Sequence, residues 1–118
     1  MADLRISTEK TPEALVIHPE GRLDTVTVAD FEKETLPLIR EAGFDVLIDF
    51  GKMEYISSAG LRSMLLLAKM MKKNERKLAF YAMSKSIQEV FRISGFDTII
   101  RVFPSYDEGI SFLKGNLS

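Results

Sequence analysis

Apolar and polar positions change rhythm several times along this chain, and each change predicts an element. Residues 4–7 (LRIS) and 14–17 (ALVI) are short apolar runs around the Thr11-Pro12-Glu13 break, which predicts an opening hairpin. From Asp24 the spacing lengthens. Val28, Phe31, Leu36 and Ile39 recur at roughly helical intervals, with Asp24 or Thr25 placed to cap the start. Pro37 falls inside that helix and is expected to kink or divide it. Residues 46–50 (VLIDF) form a short apolar run between Gly43 and Gly51, the mark of a buried, parallel strand. Leu61, Met64, Leu65, Ala68 and Met71 then follow the i, i+3, i+4, i+7 spacing of a helix ending near Asn74.

The second half repeats the alternation. Residues 78–81 (LAFY) predict a strand. Ser84 or Ser86 starts a helix through Ile93, with Gly95 as its stop. Residues 99–103 predict a last strand, and a closing helix carries Ile110, Phe112 and Leu113. The order β-β-α-β-α-β-α-β-α implies one α/β domain over residues 1–118, with a mostly parallel sheet and one antiparallel edge. In such sheets functional loops gather beyond the carboxyl ends of strands. The segment 53–60 leaves a strand at that end and enters a helix, so it is the place to look for a site.

Composition narrows the classes of function. The chain of 118 residues carries 16 basic and 17 acidic side chains, a net charge of −1, which disfavours a dedicated nucleic-acid binder. It has no cysteine, hence no disulfide or thiolate metal site. The segment MADLRISTEK lacks the apolar core of a signal peptide, and no run is long enough to span a membrane, so a cytoplasmic protein is expected. The densest basic cluster, Lys69, Lys72, Lys73, Arg76 and Lys77, reads as the solvated end of a helix. One histidine, His18, follows a strand and reads as structural or exposed. No Walker loop, dinucleotide fingerprint, metal-ligand spacing or Ser-His-Asp signature is present. A small nucleotide-binding or hydrolytic protein with Ser58 as nucleophile would lack both a base and a phosphate loop. The expectation is a protein that is not an enzyme and has no cofactor.

What remains is the polar knot Ser57-Ser58-Ala59-Gly60 at the start of a greasy helix. Either serine suits a helix cap, accepting a bond from an amide two or three residues on. The same place suits a phosphate, because a helix N-terminus offers free N–H groups and partial positive charge.

The stretch LIDFGKMEYISSAGLRSMLLLAK, with GRLD some thirty residues upstream, resembles STAS-domain proteins, and more narrowly the stand-alone bacterial anti-sigma factor antagonists. The resemblance covers nearly the whole chain. It implies the STAS fold, a mixed, mostly parallel sheet of four to five strands with helices packed chiefly on one face. It implies a partner that is both anti-sigma factor and serine kinase, bound by the unphosphorylated form so that the sigma factor is freed. Phosphorylation of one serine ends binding, and a serine phosphatase restores it. That serine falls at Ser58. The family often reads Asp-Ser-Ser/Thr-Gly where this chain has Ser57-Ser58-Ala59-Gly60, so Ser57 becomes a second candidate acceptor. Asp24 of GRLD matches a family acid near the phosphorylation site. The implied contact surface is Asp24, Met53, Tyr55, Ile56, Ser57, Gly60, Leu61 and Arg62, with one or two of Met64, Leu67, Met70 and Met71 left over from the core. The free protein is expected to be a monomer. The alternative is a STAS assembly module of a lipid-transport or stressosome-like complex.

Overall fold

A computed structural model describes residues 3–115. The hairpin forms from β1 (Leu4–Lys10) and β2 (Leu15–Leu23), and its turn is tied by the Thr11 hydroxyl, which accepts from the Ala14 amide at 3.0 Å. Then come α1 (Val28–Ala42), β3 (Val46–Asp49), β4 (Lys52–Ile56), α2 (Ser58–Lys73), β5 (Leu78–Tyr81), α3 (Lys85–Ile93), a 3-10 turn (Phe96–Thr98), β6 (Arg101–Phe103) and α4 (Tyr106–Leu113). The sheet runs β1-β2-β3-β5-β6, with β4 also paired to β2. The β1–β2 pair is antiparallel, and every other pair is parallel.

The five-strand path matches the expected mixed, mostly parallel sheet, and β4 adds a sixth segment. Residues 53–56, expected in a loop, are strand. β3 pairs with Leu15, Val16 and Ile17 of β2, and β4 resumes along the same strand from Glu20 to Leu23. β2 is therefore longer than expected and runs straight through Pro19. That proline is tolerated because neither His18 nor Pro19 has a register partner on this edge, so the missing N–H falls at the join between β3 and β4. Pro37 does not divide α1. Both Pro37 and Lys33, four residues earlier, are exposed, so the carbonyl deprived of its donor faces water.

Strand alternation sorts the core into two layers. Leu15, Ile17, Val46, Ile48 and Phe80 face α1, α2 and α3 and pack with Phe31, Met64, Leu67 and Phe91. Phe50 meets Phe80 and Phe91 edge-to-face and Phe80 is tilted against Phe91, with ring centroids 5.2 to 6.3 Å apart. Val16, Leu47, Ala79 and Tyr81 point the other way, against Ile110 and Leu113 of α4. Three helices thus cover one face and α4 alone the other. Gly109 allows that contact, since a Cβ there would sit 2.7 Å from a Leu47 methyl.

Where α4 leaves the second face open, His18 bridges three strands. Its Nδ1 lies 2.8 Å from Asp49 Oδ2 on β3, and its Nε2 lies 2.9 Å from Glu9 Oε1 on β1. Only the doubly protonated ring donates both bonds. Burial alone would lower the His18 pKa, but the hydrogen bonds to Asp49 and Glu9 outweigh it and hold it above 6.5. Glu20 and Lys52 line the same shallow hollow. Tyr81 is pushed up to about 12 by burial and by the Asp49 carboxylate, and so stays protonated. A raised folded-state pKa stabilises the fold fully below the unfolded value near 6.5, and that contribution is lost as pH rises through the folded value. Urea midpoints should therefore fall between pH 6 and pH 9, and His18→Gln should flatten the profile. An unchanged slope in His18→Gln would show that the clasp contributes nothing.

Candidate functional site

Two strand ends build the site. β2 and β4 run parallel and finish together, Leu23 beside Ile56, and the Ser57 amide donates to the Leu23 carbonyl at 2.9 Å. The chain then diverges into two turns that emerge side by side: Asp24 to Thr27, leading into α1, and Ser57, leading into α2. Gly60 closes the junction. A Cβ at that position would stand 2.7 Å from the Leu23 carbonyl oxygen and 2.8 Å from Ile56 Cγ1, so only glycine lets the first turn of α2 lie against the end of β2.

The two serines divide the roles that the sequence left open. Ser57 is extended, at φ −92° and ψ 176°, and its hydroxyl accepts from the Gly60 amide at 3.2 Å, so it is the helix cap. Ser58 is the first helical residue and is exposed, and among the described residues its hydroxyl makes no hydrogen bond. A hydroxyl with no structural duty thus stands at the positive end of a 16-residue helix.

Asp24 is held locally. Its Oδ1 accepts from the Val26 amide at 2.9 Å and the Thr27 amide at 3.1 Å, capping the turn before α1. Hydrogen bonds from the Thr27 and Val26 amides, with the Thr27 hydroxyl and nearby Arg22, hold the carboxyl below its ordinary range. It is a fixed negative charge at the rim. Oδ2 lies 3.7 Å from Arg22 Nε, and the Arg22 guanidinium stacks over the Tyr55 ring at 4.3 Å.

Of the expected contact residues, Asp24, Tyr55, Ser57 and Arg62 reach the surface with Ser58. Met53, Ile56, Gly60 and Leu61 do not. Their exposures are 5%, 4% and 6% for Met53, Ile56 and Leu61, and Gly60 is buried too, because β4 and the first turn of α2 turn these positions into the core. The contact role expected of them is corrected: they position the site from beneath. Met64, Leu67 and Met71 are likewise core, and Met70 packs against it. The apolar side chains presented here are others, Val26 at 80% exposure beside Asp24 and Leu66 at 61% on α2. Leu66 was legible in principle, since Ser58, Arg62, Leu66 and Lys69 are spaced 4, 4 and 3 apart and form one exposed stripe.

Among the described residues no group of His, Asp and Glu is arranged to hold a metal, and no helix is long and apolar enough to cross a membrane. The arrangement offers a surface with an exposed hydroxyl at Ser58. The model of the STAS domain family matches residues 5–109. The chain belongs to the STAS-domain family. This STAS domain is 29% identical over 111 residues to BtrV of Bordetella bronchiseptica, provisionally named an anti-sigma factor antagonist, across 94% of this chain and 96% of BtrV. It is 26% identical over 100 residues to the anti-sigma-B factor antagonist of Staphylococcus epidermidis, across 85% of this chain and 93% of the relative. Among solved structures, the anti-sigma factor antagonist SpoIIAA in its unphosphorylated form aligns with a TM-score of 0.79 at 19% identity, over 97% of this STAS domain and all (100%) of SpoIIAA. The phosphorylated form of SpoIIAA from Bacillus aligns with a TM-score of 0.71 at 19% identity, over 92% and 99% of the two chains. At such identities the structural likeness speaks for the fold.

Proposed function

We propose that this STAS domain is an anti-sigma factor antagonist whose binding is switched by phosphorylation at Ser58. Unphosphorylated, it binds an anti-sigma factor that is also a serine kinase, and the sigma factor is released. The kinase transfers phosphate to Ser58, binding ends, and a serine phosphatase resets the switch. The protein itself catalyses nothing, and it works in the cytoplasm as a monomer when free.

The observation that carries this reading is the division of labour between the serines. Ser57 caps the helix and Ser58 is exposed and unbonded, so Ser58 can gain and lose a phosphate without touching the fold. The helix N-terminus tolerates the added charge of roughly −1.5 to −2. The relatives named as antagonists support the role, and SpoIIAA, seen in both phosphorylation states, is a fold relative that accommodates the modification.

The acceptor and the switch are tested together. With the cognate kinase and ATP, phosphopeptide mapping is expected to find the label on Ser58, with Ser57 minor or silent. Ser58→Ala should keep the wild-type melting temperature and hold the kinase constitutively. Label mainly on Ser57 or Ser63, or a Ser58→Ala protein that fails to bind, would defeat the assignment. Kinase that neither binds nor phosphorylates the protein would favour the assembly-module alternative.

A further inference from the structure

The run of cations at the end of α2 is more than a solvated helix end. Lys69, Lys72, Arg76 and Lys77 stand along a groove of about 610 Å³ between the last turns of α2 and the segment 98–100. Its floor is apolar: Ala68, Leu78, and the buried Met71 and Ile100, at 1% and 3% exposure. Ile99 stands at the lip, 54% exposed. Lys77 is occupied, its amine bonded to the Phe112 and Leu113 carbonyls. The side chains of Lys69, Lys72 and Arg76 make no ion pair or hydrogen bond among the described residues, and Glu75 is the one acid along the groove. A protein of net charge −1 thus gathers unneutralised positive charge around an apolar trough.

We propose that this groove is a docking site for an acidic segment of a protein partner that carries apolar anchors. Carboxylates of such a segment meet Lys69, Lys72 and Arg76, and aliphatic or aromatic side chains between them fill the floor. Other anionic partners fit less well. No aromatic side chain lines the groove, so nucleic-acid bases have nothing to stack on. No glycine lines it to let backbone amides cradle a free phosphate. A lipid surface would need a broad apolar face, whereas Ile99 stands alone at the rim. Lys69, the groove cation nearest Ser58 along α2, lies eleven residues beyond it, roughly 16.5 Å at 1.5 Å per residue. That is about twice the Debye length at physiological salt, so a charge on Ser58 is largely screened at the groove. The site does not depend on the Ser58 switch.

The test uses the full chain and defined probes. These are a labelled peptide of about twelve residues with glutamates spaced by leucine and phenylalanine, a polyglutamate of equal length, a single-stranded oligonucleotide, and phosphatidylglycerol vesicles. Fluorescence anisotropy measures binding, and amide chemical shifts locate it. The mixed acidic–apolar peptide should bind tightest, shift the amides of the groove, and weaken as salt rises from about 50 to about 200 mM. The Lys72→Glu/Arg76→Glu double variant should lose about tenfold or more. Ile99→Ser, which keeps every charge, should weaken the mixed peptide alone. Ser58→Asp should change nothing. Both variants alter exposed side chains, and their circular dichroism should match the wild type. Polyglutamate binding as tightly as the mixed peptide, tighter binding of oligonucleotide or vesicles, shifts mapping elsewhere, or no binding near 1 mM would each overturn the proposal.

Discussion

Phosphate on Ser58 should weaken binding to the anti-sigma kinase by about a hundredfold or more while leaving the fold intact. Each factor of ten is about 1.4 kcal/mol. The phosphate would enter a contact already bordered by the fixed Asp24 carboxylate, and its own charge of roughly −1.5 to −2 would have to be desolvated against the partner. Arg62, one turn on along the exposed stripe, faces the new charge and limits the loss. The fold is spared because the Ser57 hydroxyl and the Gly60 amide, not Ser58, make the cap. Titration calorimetry should rank wild type and Ser58→Ala as equal and tightest, Ser58→Asp weaker, and the phosphorylated protein weakest. Asp falls between because it carries less charge and fewer acceptor oxygens than phosphoserine. Phosphorylated protein that binds as tightly as the unmodified form would end the switch reading and leave a STAS module used for assembly.

The parts of this molecule that were legible in the sequence are those set by local chemistry. The runs 14–17, 46–50 and 78–81 hold the buried strand segments that start at Leu15 and span Val46–Asp49 and Leu78–Tyr81, with Ala14 and Phe50 just outside them, and the alternation of Leu15, Val16 and Ile17 sends neighbours into opposite core layers. Ser84 caps α3 through the Ile87 amide and Gly95 ends it with a positive φ of 76°, both short-range effects. What escaped the sequence depends on pairing at long range. Lys52-Met53-Glu54-Tyr55-Ile56 has no strict alternation, and it is a strand because β2 offers it an edge past Pro19. That missed strand also explains the misplaced contact surface. Met53 and Ile56 read as apolar loop residues available to a partner, yet in a strand packed under α2 they belong to the core. His18 could be called structural from its position, but not paired, since Asp49 lies 31 residues away in sequence. At the site, the pair of serines at the head of α2 was legible, and which of them makes the cap was not. Two adjacent serines have the same chemistry, and only the backbone shows which hydroxyl faces the Gly60 amide.

Gly60→Ala should damage both stability and switching, although alanine is the better helix former. In an exposed helix interior the exchange would gain up to about 1 kcal/mol. Here the new methyl meets the Leu23 carbonyl oxygen at 2.7 Å, Ile56 Cγ1 at 2.8 Å and Leu23 Cγ at 3.0 Å. The first of these is backbone, pinned by the Ser57 amide, and cannot rotate away. Overpacking of this kind costs about 1–3 kcal/mol, which exceeds the propensity gain over most of that range. Relief requires α2 to lift off the ends of β2 and β4, which breaks the Ser57–Leu23 hydrogen bond and separates the Ser58 turn from the Asp24 turn. Thermal melts should show a clear loss for Gly60→Ala, a larger one for Gly60→Val, and none for Ser58→Ala. Ser57→Ala should lose about 0.5–2 kcal/mol through the cap alone. Kinase affinity should follow the same order at Gly60, because in the proposed complex the partner meets Asp24, Tyr55 and Ser58 as one surface. A Gly60→Ala protein with wild-type stability and wild-type affinity would mean that the close approach of α2 to Leu23 is not what fixes the two turns together.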